Sequence, residues 1–145
     1  PLLLMYPDAN IPLVQLSIQP GLSAAYHLKL GAALAPLRKE GILFLASGSA
    51  THNLREFGKF SILSAPQPWV EEFSQWLSKT IEKGDVKALL NYRQIAPYAH
   101  QNHPTEEHLL PLFVALGAGG EKAKMTELHS SYTYGVLSMA AYAFK

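Results

Sequence analysis

Histidines are the residues of this sequence best suited to chemistry. The chain has six histidines and no cysteine, so imidazole and carboxylate are the available metal ligands and a thiolate nucleophile is excluded. His52 follows the small residues SGSAT directly after an apolar run, where open α/β sheets bind ligands. A neutral imidazole can bind a metal or move a proton near neutral pH. His52 is therefore a candidate functional residue, with a capping or hydrogen-bonding role as the alternative.

A second group of histidines comprises His100, His103 and His108, with two glutamates between the last two. His103 and His108 are five residues apart, and Pro104 disfavours a continuous helix through both. They therefore do not form the i, i+4 pair that places two ligands on one helical face. Spacing alone favours a solvated helix start whose acids complement the helix dipole, and a metal site is the alternative.

The elements that must position His52 are predicted to be a strand, a helix and a strand. Residues 12–18 are short, partly alternating and bounded by prolines, which predicts the first strand. Ser23 is a candidate N-cap for a helix over residues 24–39, which Gly41 would end. Residues 42–45 form a continuous apolar run typical of a strand buried on both faces. The pattern predicts an α/β fold with a central mixed or mostly parallel sheet flanked by helices.

The second half of the chain is predicted to be mainly helical. Apolar residues at helical spacing predict a helix over residues 69–81, and Asp85 is a candidate cap for a further short helix. A third helix is predicted to begin at residues 105–108 and to end at Gly117. Aromatic and small apolar residues at 132–144 indicate a closing strand. No repeat or second domain is evident, so residues 1–145 are assigned to one domain.

Composition and charge exclude several classes of protein. Twelve basic residues against 11 acidic ones give a net charge of +1, which is too weak to steer the chain to nucleic acid or an anionic membrane. No apolar run approaches the roughly 20 residues that span a bilayer, and the start lacks a signal-peptide pattern. We expect a soluble, cytoplasmic protein. The opening PLLLMY begins without methionine, which predicts further residues upstream.

Two segments together resemble the signatures of a known family. Residues 47–54 (SGSATHNL) and 103–112 (HPTEEHLLPL) look like the two C-terminal motifs of class III extradiol ring-cleavage dioxygenases of the DOPA-dioxygenase, LigB-like type. Residues 12–18 and 135–139 resemble further segments of that family, so the likeness covers nearly the whole chain. The resemblance implies that residues 1–145 are the C-terminal part of one catalytic domain, and therefore an incomplete domain.

The resemblance also implies a site. Its metal would be Fe2+, or Zn2+ in some members, with His108 as a ligand. His52 would be the acid–base catalyst beside the metal and an additional ligand in the zinc form, whereas His103 would support the site without binding the metal. The substrates would be O2 and a catechol such as DOPA, and an N-terminal half would supply two further histidine ligands.

Two other functions remain open from the sequence. One is a noncatalytic metal- or ligand-binding module that keeps the fold and part of the site. The other is a zinc-dependent hydrolase that uses the same histidines to activate water.

Overall fold

Helices dominate the structure, a computed structural model that describes residues 2–145. The helices are α1 (Leu2–Met5), α2 (Ala24–Leu34), a 3-10 helix (Ala35–Glu40), α3 (Pro68–Glu82), α4 (Val86–Leu90), α5 (Tyr92–Ile95), α6 (Ala99–Asn102) and α7 (Leu110–Gly119). The strands are β1 (Met125–His129), β2 (Tyr132–Thr133), β3 (Leu137–Ser138) and β4 (Ala141–Phe144). Within residues 2–145, no helix combines the length and apolar character required to cross a bilayer.

The predicted helix after Ser23 is confirmed, with a change of type near its end. The Ser23 side chain accepts a hydrogen bond from the backbone N–H of Tyr26, 3.3 Å away. Pro36 lies at the start of the 3-10 segment, where its missing N–H interrupts the α-helical hydrogen bonds. Gly41 ends the segment in the left-handed conformation, with φ 80°, which glycine adopts without steric cost.

The predicted helix over residues 69–81 is confirmed as α3, which supplies much of the core. Phe73, Leu77 and Ile81 recur at helical spacing and are buried. Asp85 then caps α4 as predicted, because its carboxylate accepts the backbone N–H of Ala88 at 2.9 Å. Two further short helices, α5 and α6, lie between α4 and His103.

Helix α7 begins and ends later than the sequence predicted. It starts at Leu110 rather than at residues 105–108, with Pro111 in its first turn, where a proline costs no hydrogen bond. It also continues past Gly117. Gly117 and Gly31 lie where α7 and α2 cross, and a Cβ built on either would overlap backbone atoms of the other helix. Gly117 therefore permits close packing rather than ending the helix.

Both predicted strands of the N-terminal half are wrong. Residues 12–18 and 42–45 lie in no helix or strand. A strand requires a partner that completes its hydrogen bonds, and none of the strands described in residues 2–145 pairs with either segment. Most of their apolar side chains are exposed, with Val14 at 94% and Leu43 at 59%, whereas Ile18 and Phe44 are half-buried.

The central, mostly parallel sheet is therefore absent from the described part of the chain. Two small antiparallel sheets occur instead, in which β1 pairs with β4 and β2 pairs with β3. The closing strand predicted at 132–144 is divided among β2, β3 and β4, because Gly135, with φ 65°, turns the chain between the first two.

Candidate functional site

His52 lies on a loop held from both sides by hydrogen bonds. Its backbone N–H donates to the carbonyl oxygen of Asn102 at 3.0 Å. The hydroxyl of its neighbour Thr51, which is fully buried, donates to the carbonyl oxygen of Val136 at 3.0 Å and accepts the N–H of Ser138 at 2.7 Å. The backbone before and at His52 is thus fixed, and its half-buried ring is directed by the fold rather than by solvent.

His108 lies in the turn that leads into α7, against the same loop. Its carbonyl oxygen accepts the backbone N–H of Ser49 at 2.8 Å. Gly48 allows this approach, since a Cβ built there would overlap the carbonyl oxygen of His108. The His108 side chain is 41% exposed, so its ring remains accessible to a ligand.

The structure brings His52 and His108 together. Their ring centroids are 3.5 Å apart and their planes differ by 21°. Burial lowers the pKa of His52 below 6.5, and the nearby His108 lowers it further because two imidazolium ions would repel each other. His52 is therefore neutral at physiological pH, with a nitrogen lone pair that can accept a proton or bind a metal.

His103 lies behind this pair and supports the loop. Its ring is fully buried, and its Nε2 is 2.8 Å from the carbonyl oxygen of Ala50. Since a carbonyl only accepts, Nε2 carries the proton and donates it. Burial lowers the pKa of His103 to about 4, so the ring is neutral. The bond fixes the backbone two residues before His52.

The other member of the second histidine group takes no part in the pair. His100 is exposed, and its Nδ1 is 2.7 Å from a guanidinium nitrogen of Arg93. The same guanidinium donates to the carbonyl oxygen of His103 at 3.0 Å. Arg93 thereby ties the two ends of the segment 100–103 together.

Two asparagines that the sequence analysis did not single out hold the site together. Asn102 is fully buried, and its side-chain amide donates to the carbonyl oxygens of Trp69 and Tyr98, at 2.9 and 3.1 Å. Asn53 donates to the carbonyl oxygen of Gln101 at 2.7 Å. Asn53 follows His52 and Asn102 precedes His103 in the sequence. This adjacency was the sequence signal that could have identified both asparagines.

Glu107 is the carboxylate next to the histidine pair. Its Oε1 accepts a hydrogen bond from the Thr105 hydroxyl at 2.7 Å and lies 3.9 Å from Nε2 of His108. The Thr105 hydrogen bond is the main cause that lowers the pKa of Glu107. Glu107 is therefore ionised at neutral pH and makes the accessible side of the pair electronegative.

The donors at this site suit a transition metal but do not complete its coordination. Imidazole nitrogens are favoured by Fe2+ and Zn2+, and the exposed ring of His108 can provide one. The rings of His52 and His108 are stacked with their planes 21° apart, so both could bind one ion only if one ring turned. Structural and catalytic sites use at least three protein ligands. No group of three or more histidine, cysteine or acidic side chains suited to a metal occurs among residues 2–145. The pair therefore fits part of a metal site.

Comparisons with known proteins point to a single family. A family model described as the catalytic LigB subunit of aromatic ring-opening dioxygenase matches residues 1–145. The chain is 43% identical over 145 residues to a 4,5-DOPA dioxygenase extradiol of Portulaca grandiflora, which covers 99% of this chain and 53% of that protein. It is 41% identical over 141 residues to the 4,5-DOPA dioxygenase extradiol of Escherichia coli K12, covering 95% of this chain and 51% of that protein.

A solved structure supports the same relationship. The crystal structure of an uncharacterized protein from Escherichia coli K12 aligns with a TM-score of 0.84 at 35% identity, over 98% of this chain and 59% of that chain. The chain therefore spans about half the length of the curated relatives it matches.

Proposed function

Starting from the LigB family of class III extradiol dioxygenases, to which this chain belongs, we propose that it forms part of a site that opens the ring of a catechol with O2. The ring bond that breaks joins a hydroxyl-bearing carbon to its neighbour without a hydroxyl. Both atoms of O2 enter the open-chain product, in which the first carbon becomes a carboxylate and the second an aldehyde. The overall reaction needs no further reductant. A catechol such as DOPA is the proposed substrate class, because relatives carry that substrate in their names.

The stacked pair of His52 and His108 is the observation that carries this proposal. The two imidazoles come from segments 56 residues apart (108 − 52) and meet with ring centroids 3.5 Å apart. Buried histidines that only pack in a core need no access to solvent, whereas the His108 side chain is 41% exposed. Convergence of two accessible imidazoles is typical of a ligand or catalytic site.

His108 is the proposed metal ligand, with Fe2+ as the expected metal and Zn2+ as the alternative. When bound, the ion supplies positions at which the catechol oxygens and dioxygen are held side by side. The Ser49 hydrogen bond to the carbonyl of His108, at 2.8 Å, restricts the backbone that carries the ring. Polypeptide outside these 145 residues is proposed to supply the further ligands, since the relatives are about twice as long.

His52 is the proposed acid–base catalyst, and it is also a ligand if the metal is zinc. Its ring is neutral at physiological pH and can accept the proton of a catechol hydroxyl, then return it to an oxygen of the opening ring. The hydrogen bond from its backbone N–H to Asn102, 3.0 Å long, restricts the backbone that carries the imidazole. His103 binds no metal in this scheme and instead positions the His52 loop through Ala50.

The noncatalytic reading has one observation in its favour. The described residues provide two adjacent imidazoles but no set of three ligands, so these 145 residues alone could bind a metal weakly without turnover. Nothing in the site specifically favours a zinc-dependent hydrolase over the dioxygenase.

Oxygen consumption tests the proposal. The natural full-length protein, loaded with Fe2+, is mixed with L-DOPA, dopamine or 4-methylcatechol in an oxygen electrode, while the absorbance of a yellow ring-opened product is followed. We expect O2 uptake and product in equal amounts. No uptake with any of these catechols would reject the dioxygenase and favour the noncatalytic module, whereas ester hydrolysis dependent on Zn2+ would favour the hydrolase.

A further inference from the structure

Glu107 is a charged residue beside the histidine pair that the proposed reaction does not use. Its Oε1 lies 3.9 Å from Nε2 of His108, and its side chain is 37% exposed. The ordinary role of an acid at this position would be to stabilise the start of α7.

The geometry does not support that ordinary role. Helix α7 begins at Leu110, and no side chain caps its first turn. The Glu107 carboxylate instead accepts the Thr105 hydroxyl at 2.7 Å. The same oxygen that accepts from Thr105 lies 3.9 Å from Nε2 of His108, so the carboxylate is held beside that ring.

The neutralising partners of Glu107 are also missing within the described range 2–145. The one ion-pair contact of this carboxylate there is with His108, and no lysine or arginine pairs with it. A half-exposed carboxylate with an open partner position can accept a cation at low cost in desolvation.

The surroundings of the pair determine where a bound ring would carry its substituent. The residues that flank the two histidines in the chain, Thr51, Asn53 and Leu109, are buried, and so is His103 behind the loop. The inner side of the pair is therefore closed, and Glu107 lies on its open side, with its side chain 37% exposed and its Oε1 3.9 Å from Nε2 of His108.

We propose that Glu107 is a specificity-determining residue that binds a protonated amine on the side chain of the catechol. The inference rests on the proposed function, because it assumes that a catechol is held at His52 and His108. An ammonium group would donate to the carboxylate in a charge-assisted hydrogen bond, whereas a neutral or anionic side chain would gain nothing there. The amine could belong to an amino acid or to a simple amine, and both contain the same group.

The test compares substrates that differ in the charge of the side chain. Values of kcat/KM are measured for dopamine, L-DOPA, 4-methylcatechol and 3,4-dihydroxyphenylpropionate, with the Fe2+-loaded full-length protein and its Glu107→Gln variant. Glutamine keeps an oxygen that can accept from Thr105 and removes the charge. Glu72→Gln is the matched control, since Glu72 is exposed on α3 and loses the same charge. Anaerobic binding of the four compounds is measured by calorimetry in parallel.

The readout is a ratio that a general loss of activity does not change. In Glu107→Gln, the ratio of kcat/KM for dopamine to that for 4-methylcatechol should fall roughly fivefold, as expected for a partly exposed ion pair. The change should lie in KM, and Glu72→Gln should keep the wild-type ratio. If kcat/KM for L-DOPA falls together with that for dopamine, the group bound by Glu107 is the ammonium that both substrates share. The affinity for the propionate should not fall.

Failure of the inference and failure of the proposed function give different results. Turnover of all catechols with an unchanged ratio in Glu107→Gln would overturn the inference and leave the dioxygenase intact. Weaker dopamine binding in Glu107→Gln without turnover of any catechol in the wild type would support the amine site and reject the dioxygenase. Equal binding by wild type and variant without turnover would overturn both.

Discussion

The backbone N–H of His52 donates to the carbonyl oxygen of Asn102 at 3.0 Å, and this hydrogen bond joins the two histidine segments. The next residue, His103, returns a hydrogen bond from its ring to Ala50 at 2.8 Å. The loop that carries His52 is thus attached to the segment that leads to His108. The contact between the two rings depends on this attachment. A change in the backbone between them should therefore disturb the geometry of the site more than the packing of the core.

Gly48→Ala should weaken metal binding at the site. A Cβ at this position overlaps the carbonyl oxygen of His108, so the loop must move and the Ser49 hydrogen bond to that carbonyl must lengthen. We expect Fe2+ affinity to fall roughly tenfold, the lower bound for changes in groups that orient metal ligands, as measured by anaerobic metal titration. Gly21→Ala is the control, because a Cβ there has no atom within 4 Å. Equal affinities of the two variants would show that the close approach of Gly48 is unimportant.

His52→Ala should remove turnover while leaving iron bound. The lost group is the proposed proton acceptor, and general acid–base catalysis contributes about 100-fold or more. The measurement is kcat/KM for a catechol together with the iron content of the purified protein. His129→Ala serves as control, since His129 is exposed and its ring bonds only to Ser131 among the described residues. Full activity in His52→Ala would assign proton transfer to another group.

The stability of the fold should decrease in acid because of His103. Burial lowers the pKa of His103 from 6.5 to about 4, so the unfolded chain binds this proton more readily than the folded one. Protonation of His103 therefore leaves the free energy of unfolding unchanged above about pH 6.5 and lowers it progressively as the pH falls toward about 4. The full loss is about 3 kcal/mol, at 1.36 kcal/mol for each pH unit.

Urea unfolding as a function of pH measures this effect. His103→Gln keeps a donor for Ala50 but cannot titrate, so its stability should vary less with pH than that of the wild type. His100→Gln, a change at an exposed histidine, should retain the wild-type pH dependence. Parallel curves for His103→Gln and the wild type would mean that His103 is not the acid-sensitive group.

Gly31→Ala should destabilise the fold through the contact between α2 and α7. Alanine is favoured over glycine in a helix by about 0.5 to 1 kcal/mol, but the new Cβ overlaps the carbonyl oxygen of Val114. Forcing atoms into a packed interface costs about 1 to 3 kcal/mol, so the overlap outweighs the helix preference. Thermal and urea unfolding should show the loss. An increase in stability would indicate that the two helices separate easily.

Local features of the fold were predictable from the sequence, and features that depend on a distant partner were not. Ser23 and Asp85 cap their helices as expected, since a cap bonds to the backbone three residues ahead. The strand predictions at 12–18 and 42–45 were wrong because a strand is completed by a neighbour that its own sequence does not specify.

The site shows the same division. The resemblance to the family paired His52 with His108, although spacing alone left both with other roles. Asn102 and Gly48 were not predicted, because their importance comes from contacts with the backbone of a segment more than 45 residues away, Asn102 with His52 and Gly48 with His108. The type of either residue does not reveal such a contact. The assigned roles of His52, His103 and His108 stay predictions.

Metal content of the His108→Ala variant tests the central claim most directly. Wild type, His108→Ala and His129→Ala full-length proteins are loaded anaerobically with Fe2+, separated from free metal and assayed for bound iron. We expect stoichiometric iron in the wild type and in His129→Ala, and loss of most of the iron from His108→Ala in a protein that still unfolds cooperatively. Folded His108→Ala that keeps the wild-type iron content would contradict the assignment of His108 as the iron ligand.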